Sequence, residues 1–231
     1  MAHGLAGDRW DHVAFDPEHR LVLHVVSGPR DPVNAQRLVV MAKAQLAGRV
    51  PPRLITTDGY PAYAELFRRV FGVVVAPRRK RGEPHRVAKR LVPPGLTHAI
   101  VRKVVEQGRV VRVERELVTG TRANLNAALS ASAVSATVNT SFVERHNGTD
   151  RHRNARKARR TYRFSKSREV HDAAGYFTLY SYNFCWPVRT LREAKGDGTH
   201  RPRTPAMAAG LTDRVWSIGE WLSYPTKGDS G

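Results

Sequence analysis

The segment Leu54-Ile-Thr-Thr-Asp-Gly-Tyr-Pro-Ala-Tyr63 carries the clearest fold signal in this chain of 231 residues. Its apolar and β-branched residues predict a short strand over 53–58, and the pattern from Pro61 to Phe71 predicts a helix. Asp58 therefore ends a strand, where its side chain opens to a cleft while its backbone stays in the sheet. Gly59 would let a substrate or a metal ion approach closely. Asp58 is thus a candidate site residue, with an ordinary Asp-Gly turn as the alternative.

The segments on either side of this strand predict both strands and helices. A β-hairpin precedes it and a helix follows Pro32, whereas a basic loop, a second hairpin, two long helices and a helical tail come after it. The predicted ranges are 11–27 and 32–48 before the strand, then 77–94, 98–117, 140 onward, 167–185 and 204–222. This order indicates an α+β fold. We expect a core over 10–186, with a basic loop and hairpin insertion at about 77–118, and a linker with a C-terminal helical tail over 187–231.

Positive charge is concentrated in two segments. The chain has 39 Lys and Arg against 20 Asp and Glu, which gives a formal charge of +19. Residues 78–90 contain seven Lys or Arg and one Glu, and residues 145–168 contain ten and one Asp. Such clustering is typical of a surface that binds phosphates, although solvated basic faces have the same composition. The charge therefore points to nucleic acid as the partner.

Neither a membrane span nor a secretion signal is predicted. No apolar run approaches the roughly 18 residues that a span needs, and the first residues have neither a basic region nor an apolar core. The single cysteine, Cys185, excludes an internal disulfide framework. We expect a basic cytoplasmic protein.

Glu144 is the second candidate site residue. It lies in Asn139-Thr-Ser-Phe-Val-Glu-Arg-His-Asn147, near the start of a predicted helix that is otherwise rich in arginine. A favourable interaction with the helix dipole is the alternative reading. Together with Asp58 it offers the oxygen ligands that Mg²⁺ prefers, and two such ions support phosphodiester chemistry. Basic side chains on the same helix would hold the phosphate backbone of a nucleic acid.

The order of a hairpin, a strand that ends in Thr-Thr-Asp-Gly and a late helix with a glutamate suggests a ribonuclease-H-like fold that lacks its first central strand. Further segments resemble bacterial insertion-sequence transposases of the DDE type, close to the insertion-sequence-one group. These segments run from about residue 10 to 222, and comprise Trp10-Asp-His-Val-Ala-Phe-Asp16, Gly28-Pro-Arg-Asp31, residues 54–63 and 139–147, Phe164-Ser-Lys166, Tyr182-Asn-Phe184 and residues 204–213.

The resemblance implies metal-dependent DNA cleavage and strand transfer, in other words DNA transposition. Asp58 and Glu144 carry over as catalytic residues and metal ligands, with two Mg²⁺ or Mn²⁺ ions in an intact site. The implied partners are the insertion-sequence ends and the target DNA in the bacterial nucleoid, and a homo-oligomer on DNA is left open. The residues expected to bind DNA are basic or polar and lie in the two charged segments: Arg78, Arg79, Lys80, Arg145, Asn147, Arg151, Arg153, Arg156, Arg159 and Arg160. His146 either positions the phosphate or is a polar helix residue.

The first Asp of the family has no match. Asp16 corresponds to a non-catalytic Asp at a hairpin tip, and the residues before Trp10 contain no central strand. We therefore expect the chain to be truncated at its N-terminus and to have little strand-transfer activity alone. The alternatives are a non-catalytic DNA-binding remnant or regulator of transposition, and a basic protein that associates with RNA.

Overall fold

The computed structural model describes residues 10–46, 51–75, 89–158, 162–163 and 165–225. Within these ranges the chain has an α+β fold, which confirms the predicted class. The strands are β1 Trp10–Asp16, β2 Leu21–Gly28, β3 Leu54–Asp58, β4 Val73–Val75, β5 Lys89–Leu91, β6 Thr97–Glu106, β7 Arg109–Thr119, β8 Glu193–Ala194 and β9 His200–Arg201. The helices are α1 Pro32–Gln45, α2 Ala62–Phe71, α3 Arg122–Ala131, α4 Ser141–Arg153, α5 Arg168–Cys185, α6 Pro205–Ala208 and α7 Ile218–Ser223.

One mixed sheet contains the strand that ends at Asp58. Its order is β3-β6-β7, with β3 parallel to β6 and β6 antiparallel to β7. The remaining described strands form the pairs β1–β2, β4–β5 and β8–β9. Among the described strands, β3 has β6 as its one neighbour, so the other edge of β3 is unpaired.

The chain divides into two compact units. The first unit comprises residues 1–12 and 26–141, and the second comprises residues 13–25 and 142–231. The hairpin β1–β2 therefore contributes its open end to the first unit and its turn to the second. Asp58 belongs to the first unit and Glu144 to the second.

The core of the first unit lies between the mixed sheet and α3. Ala99 and Val101 on β6 pack with Leu125 on α3 and with Val138. The β6–β7 hairpin turns at Gln107 and Gly108, whose φ angles are 47° and 77°. Positive φ at both central residues is what a two-residue type I′ turn requires, and Gly adopts it without strain.

The core of the second unit joins the turn end of the hairpin to α5. Val22 and Val25 pack against Leu179 and Tyr182. The Asn183 side chain donates to the Val22 carbonyl at 2.8 Å and accepts from the Val22 N–H at 3.0 Å. This buried amide fixes the position of β2 on the helix, because unpaired buried polar groups are costly.

The structure confirms the hairpin over 11–27 and the helices and strand predicted from Pro32 to Phe71, together with the second hairpin, α4 and α5. The tail over 204–222 was predicted to be helical, and it contains two short helices, α6 and α7, instead of one continuous helix. Gly210 adopts a φ of 69° and the Leu211 N–H bonds the Ala206 carbonyl at 2.8 Å, which ends α6.

Two other segments contain strands that were not expected. Lys89–Leu91, in the predicted basic loop, pairs with the apolar strand Val73–Val75, and the linker region contains the pair β8–β9. In addition, β6, which the sequence places in an insertion, pairs with β3 in the mixed sheet. In the described part of the chain, no helix is long and apolar enough to span a membrane.

Candidate active site

Asp58 lies at the end of the edge strand β3 and is exposed. Its Oδ1 atom accepts the backbone N–H of Tyr60 at 3.1 Å, which holds the turn after the strand. Its Oδ2 atom accepts from Nη2 of Arg30 at 2.9 Å. The side chains of Arg30 and Asp58 are 41% and 55% exposed, so this ion pair is open to solvent and to ligands.

Arg30 is held between two aromatic rings. Its guanidinium lies 5.2 Å from the ring centres of both Trp10 and Tyr60, which is within the range of favourable cation–π interaction. Arg30 therefore approaches Asp58 in a defined orientation. The Gly28-Pro-Arg-Asp31 segment is one of the motifs that resemble the family, but the pairing of Arg30 with Asp58 was not predicted.

The turn that carries Arg30 is fixed by hydrogen bonds. The Pro29 carbonyl accepts from Nε2 of His12 at 3.0 Å and from Nδ2 of Asn34 at 3.1 Å. Asp31 caps α1, since its Oδ1 accepts the Asn34 N–H at 2.8 Å. Because both ends of the turn are anchored, Arg30 is presented on a rigid support.

A layer of aromatic residues lies behind Asp58. Burial, followed by the nearby Asp58 carboxylate, raises the pKa of Tyr63 to about 12. His98 on β6 is 2% exposed, forms a 2.9 Å hydrogen bond with Thr57 Oγ1 and packs against Phe67. Burial lowers the pKa of His98 to about 4, so it is neutral at pH 7. These residues support the strand end and were not predicted.

Glu144 lies in the first turn of α4, as predicted, and is exposed. The exposed face of α4 also carries Arg145 and Arg151, and Gly148 lies between Glu144 and Arg151. A Cβ atom added at Gly148 would meet nothing within 4 Å. The carboxylate and two of the predicted DNA-binding arginines thus share one accessible helix face.

The opposite face of α4 is structural. His146 is 5% exposed and lies between Phe15 and Tyr182, with ring centres 5.0 and 4.8 Å away. Burial lowers the pKa of His146 to about 4. Of the two interpretations left open for His146, this burial favours that of a packed helix residue.

Asp150, one turn further along α4, is the one acidic residue in the second basic segment. Its Oδ2 accepts from Nζ of Lys157 at 2.8 Å and its Oδ1 from the Thr178 hydroxyl at 2.9 Å. Gly175 makes room for the lysine, because a Cβ there would lie 3.2 Å from Nζ. The structural role of Asp150 was not predicted, although a single acidic residue among many cations was a signal for it.

The other predicted DNA-binding residues have different surroundings. Arg153 stacks on Trp186 and Tyr182, with its guanidinium 4.3 and 5.3 Å from their ring centres. Arg156 is exposed, with Nη1 3.5 Å from Ser165 Oγ, and Asn147 is half-buried. The rest lie outside the described residues: Arg78, Arg79, Lys80, Arg159 and Arg160.

Asp58 and Glu144 are each exposed, and the carboxylate oxygens of each are of the ligand type that hard divalent cations prefer. Among the described residues, however, no group of three or more His, Cys, Asp or Glu side chains is arranged to hold a metal ion. The Asp16 carboxylate is hydrogen-bonded within the β1–β2 turn. It accepts from the Glu18 N–H at 2.9 Å and from His19 Nδ1 at 2.6 Å.

Comparison with known proteins identifies no relative of this chain. The chain matches no family model, no curated protein and no solved structure. Its function is therefore inferred from its own residues.

Proposed function

We propose that this chain is the catalytic part of a DDE-type transposase with a ribonuclease-H-like fold, and that it acts on DNA by cleavage and strand transfer. The observation that carries the proposal is the position of Asp58. This exposed carboxylate ends a strand of a mixed sheet, and the other edge of that strand is unpaired among the described strands. A ribonuclease-H-like sheet without its first central strand would leave such an edge.

In this proposal Asp58 and Glu144 are each a ligand for a divalent cation, and such a cation would supply an activated water or 3′-hydroxyl for phosphodiester chemistry when bound. Arg30 neutralises Asp58 in the absence of a cation and would compete with it for Oδ2. The exposed arginines of α4 position the DNA backbone beside Glu144. Because the chain matches two of the three family acids, we expect it to have little joining activity alone.

The metal assignment can be tested without measuring activity. Binding of Mn²⁺ in the presence of duplex DNA, followed by electron paramagnetic resonance, should weaken at least about tenfold in Asp58→Asn and Glu144→Gln. The matched controls are Glu116→Gln, whose carboxylate forms another exposed ion pair in the first unit, and Glu169→Gln, which removes an exposed glutamate from the first turn of α5. Both controls should bind Mn²⁺ as the unmodified chain does.

DNA binding provides the second test. Affinity for duplex DNA should fall steeply with KCl concentration, with a logarithmic slope of at least about −2.5 if the exposed α4 arginines Arg145, Arg151 and Arg153 contact phosphates. Glu144→Gln should keep this affinity. Equal loss of Mn²⁺ binding and DNA binding would contradict the role assigned to Glu144.

A non-catalytic DNA-binding regulator is the second candidate. The hydrogen bond between Arg30 and Asp58 favours it, because this carboxylate already has a cationic partner. Unchanged Mn²⁺ binding in both acidic variants, with salt-dependent DNA binding intact, would select this alternative.

A further inference from the structure

A basic groove with an apolar floor lies in the second unit, between α5 and the segment that follows α4. Its volume is about 860 Å³, which is within the range of sites for small ligands. Arg153, Arg156 and Arg163 line it together with Val170, Ala173 and Phe177. Among the described residues that line the groove, none is acidic.

The groove rests on the buried residues of the second unit. Lys157 and Asp150 are 6% and 7% exposed, and their ion pair ties the segment after α4 to the helix end. The Thr178 hydroxyl, which donates to Asp150, connects the same pair to α5. The Arg153 guanidinium stacks on Trp186, 4.3 Å from its ring centre. Arg153 is therefore held in place beside the apolar lining residues.

The chemistry of the lining residues selects the ligand. The three guanidinium groups that line the groove favour a polyanion. Val170 and Phe177 are 45% and 39% exposed, so an apolar surface lies beside these cations. Duplex DNA presents phosphates to a protein surface and keeps its bases stacked inside, whereas an unpaired strand offers the flat faces of its bases together with its phosphates.

We propose that this groove binds unpaired nucleotides of a DNA strand, with the bases on the apolar floor and the phosphates on the three arginines. This inference rests on the proposed function, from which it takes DNA as the nucleic acid. It adds a single-strand site whose lining residues include neither Asp58 nor Glu144.

The test measures binding of a fluorescent dT12 oligonucleotide and of a 20-base-pair duplex by anisotropy, without metal. The substitution Ala173→Glu places a carboxylate on the groove floor at an exposed helix position, and Ala127→Glu makes the same change at an exposed position of α3. Ala173→Glu should weaken dT12 binding about tenfold, and Ala127→Glu by less than about threefold. Duplex affinity should change by less than about threefold in both.

A second pair of variants removes charge instead of adding it. Arg156→Gln with Arg163→Gln should weaken dT12 binding at least about tenfold and reduce its salt dependence. Arg109→Gln with Arg122→Gln removes two exposed arginines from the first unit as the control. Thermal melting identifies any variant that fails to fold. If the Ala173→Glu variant or the double arginine variant does not fold, the remaining one and its control decide the outcome.

Three results would overturn the proposal: an equal loss of dT12 and duplex affinity in the groove variants, no loss of either, or tighter binding of rU12 than of dT12, which would assign the groove to RNA. Asp58→Asn and Glu144→Gln should bind dT12 normally. Loss of Mn²⁺ binding in those two variants tests the proposed function by itself, so failure of one proposal is distinguishable from failure of the other.

Discussion

Two carboxylate–cation pairs of similar length lie in opposite environments. Arg30 and Asp58 are 2.9 Å apart and about half exposed, whereas Lys157 and Asp150 are 2.8 Å apart and almost fully buried. An exposed pair contributes little to stability and leaves its groups accessible to ligands. A buried pair is costly to break, because removal of one partner leaves an unpaired charge. The comparison indicates that Asp58 is available for function and that Asp150 is structural.

The largest expected effect is that of Asp150→Ala. It leaves the Lys157 ammonium buried without its carboxylate, so the free energy of unfolding should fall by about 3–5 kcal/mol. Urea denaturation followed by circular dichroism measures this change. Glu65→Ala is the control, since Glu65 pairs at 3.4 Å with Arg68 on α2 and both side chains are more than half exposed, so its loss should cost about 1 kcal/mol or less. Equal losses in the two variants would remove the distinction between buried and exposed pairs.

Acid pH should destabilise the protein through its two buried histidines. The pKa values of His98 and His146 are about 4 when folded and about 6.5 when unfolded. Between these values the unfolded chain binds more protons, so stability that is complete above pH 6.5 is lost as the pH falls towards 4. The full effect is about 3 kcal/mol per histidine.

The variant His146→Phe keeps an aromatic ring between Phe15 and Tyr182 but cannot take up a proton. Its free energy of unfolding should therefore depend less on pH between 7 and 4.5 than that of the unmodified chain. The control is His152→Gln, which removes a histidine from an exposed position of the same helix. An unchanged slope in His146→Phe would mean that this histidine is not buried in its neutral form.

Gly148 tests the exposed face of α4 that carries Glu144. An added Cβ meets nothing within 4 Å, and glycine inside a helix is less favourable than alanine. Gly148→Ala should therefore raise the free energy of unfolding by about 0.5–1 kcal/mol. Thermal melting measures the gain. A loss of stability would show that this face is packed rather than accessible.

The smallest expected effect on stability is that of Asp58→Asn. The exposed pair with Arg30 should contribute about 0.5 kcal/mol, and the amide oxygen can still accept the Tyr60 N–H. Urea denaturation of this variant should give a curve close to that of the unmodified chain. A loss as large as that of Asp150→Ala would place Asp58 among the structural residues.

Local patterns were sufficient to predict much of the fold. Strand β3, helix α2 and the position of Asp58 follow from a β-branched run, a glycine and an apolar helical face within residues 54–71. The turn at Gln107 and Gly108 was equally local. The end of α6 was not predicted, because it depends on the conformation of Gly210.

Contacts between distant segments could not be predicted in the same way. The parallel pairing of β3 with β6 brings Leu54 beside Thr97, which is 43 positions further along the chain. The hydrogen bond between Arg30 and Asp58 joins residues that are 28 positions apart. The spacing of apolar residues along the chain does not indicate which distant segments pair. The Asp150–Lys157 pair is closer in sequence, but its burial depends on α5 and on the absence of a side chain at Gly175.

Mn²⁺ binding in the presence of duplex DNA tests the central claim most directly. We expect Asp58→Asn and Glu144→Gln each to weaken Mn²⁺ binding at least about tenfold. Glu116→Gln and Glu169→Gln should not weaken it, and all four variants should melt within a few degrees of the unmodified chain. Mn²⁺ binding that is the same in all four variants would contradict the proposal that Asp58 and Glu144 are metal ligands.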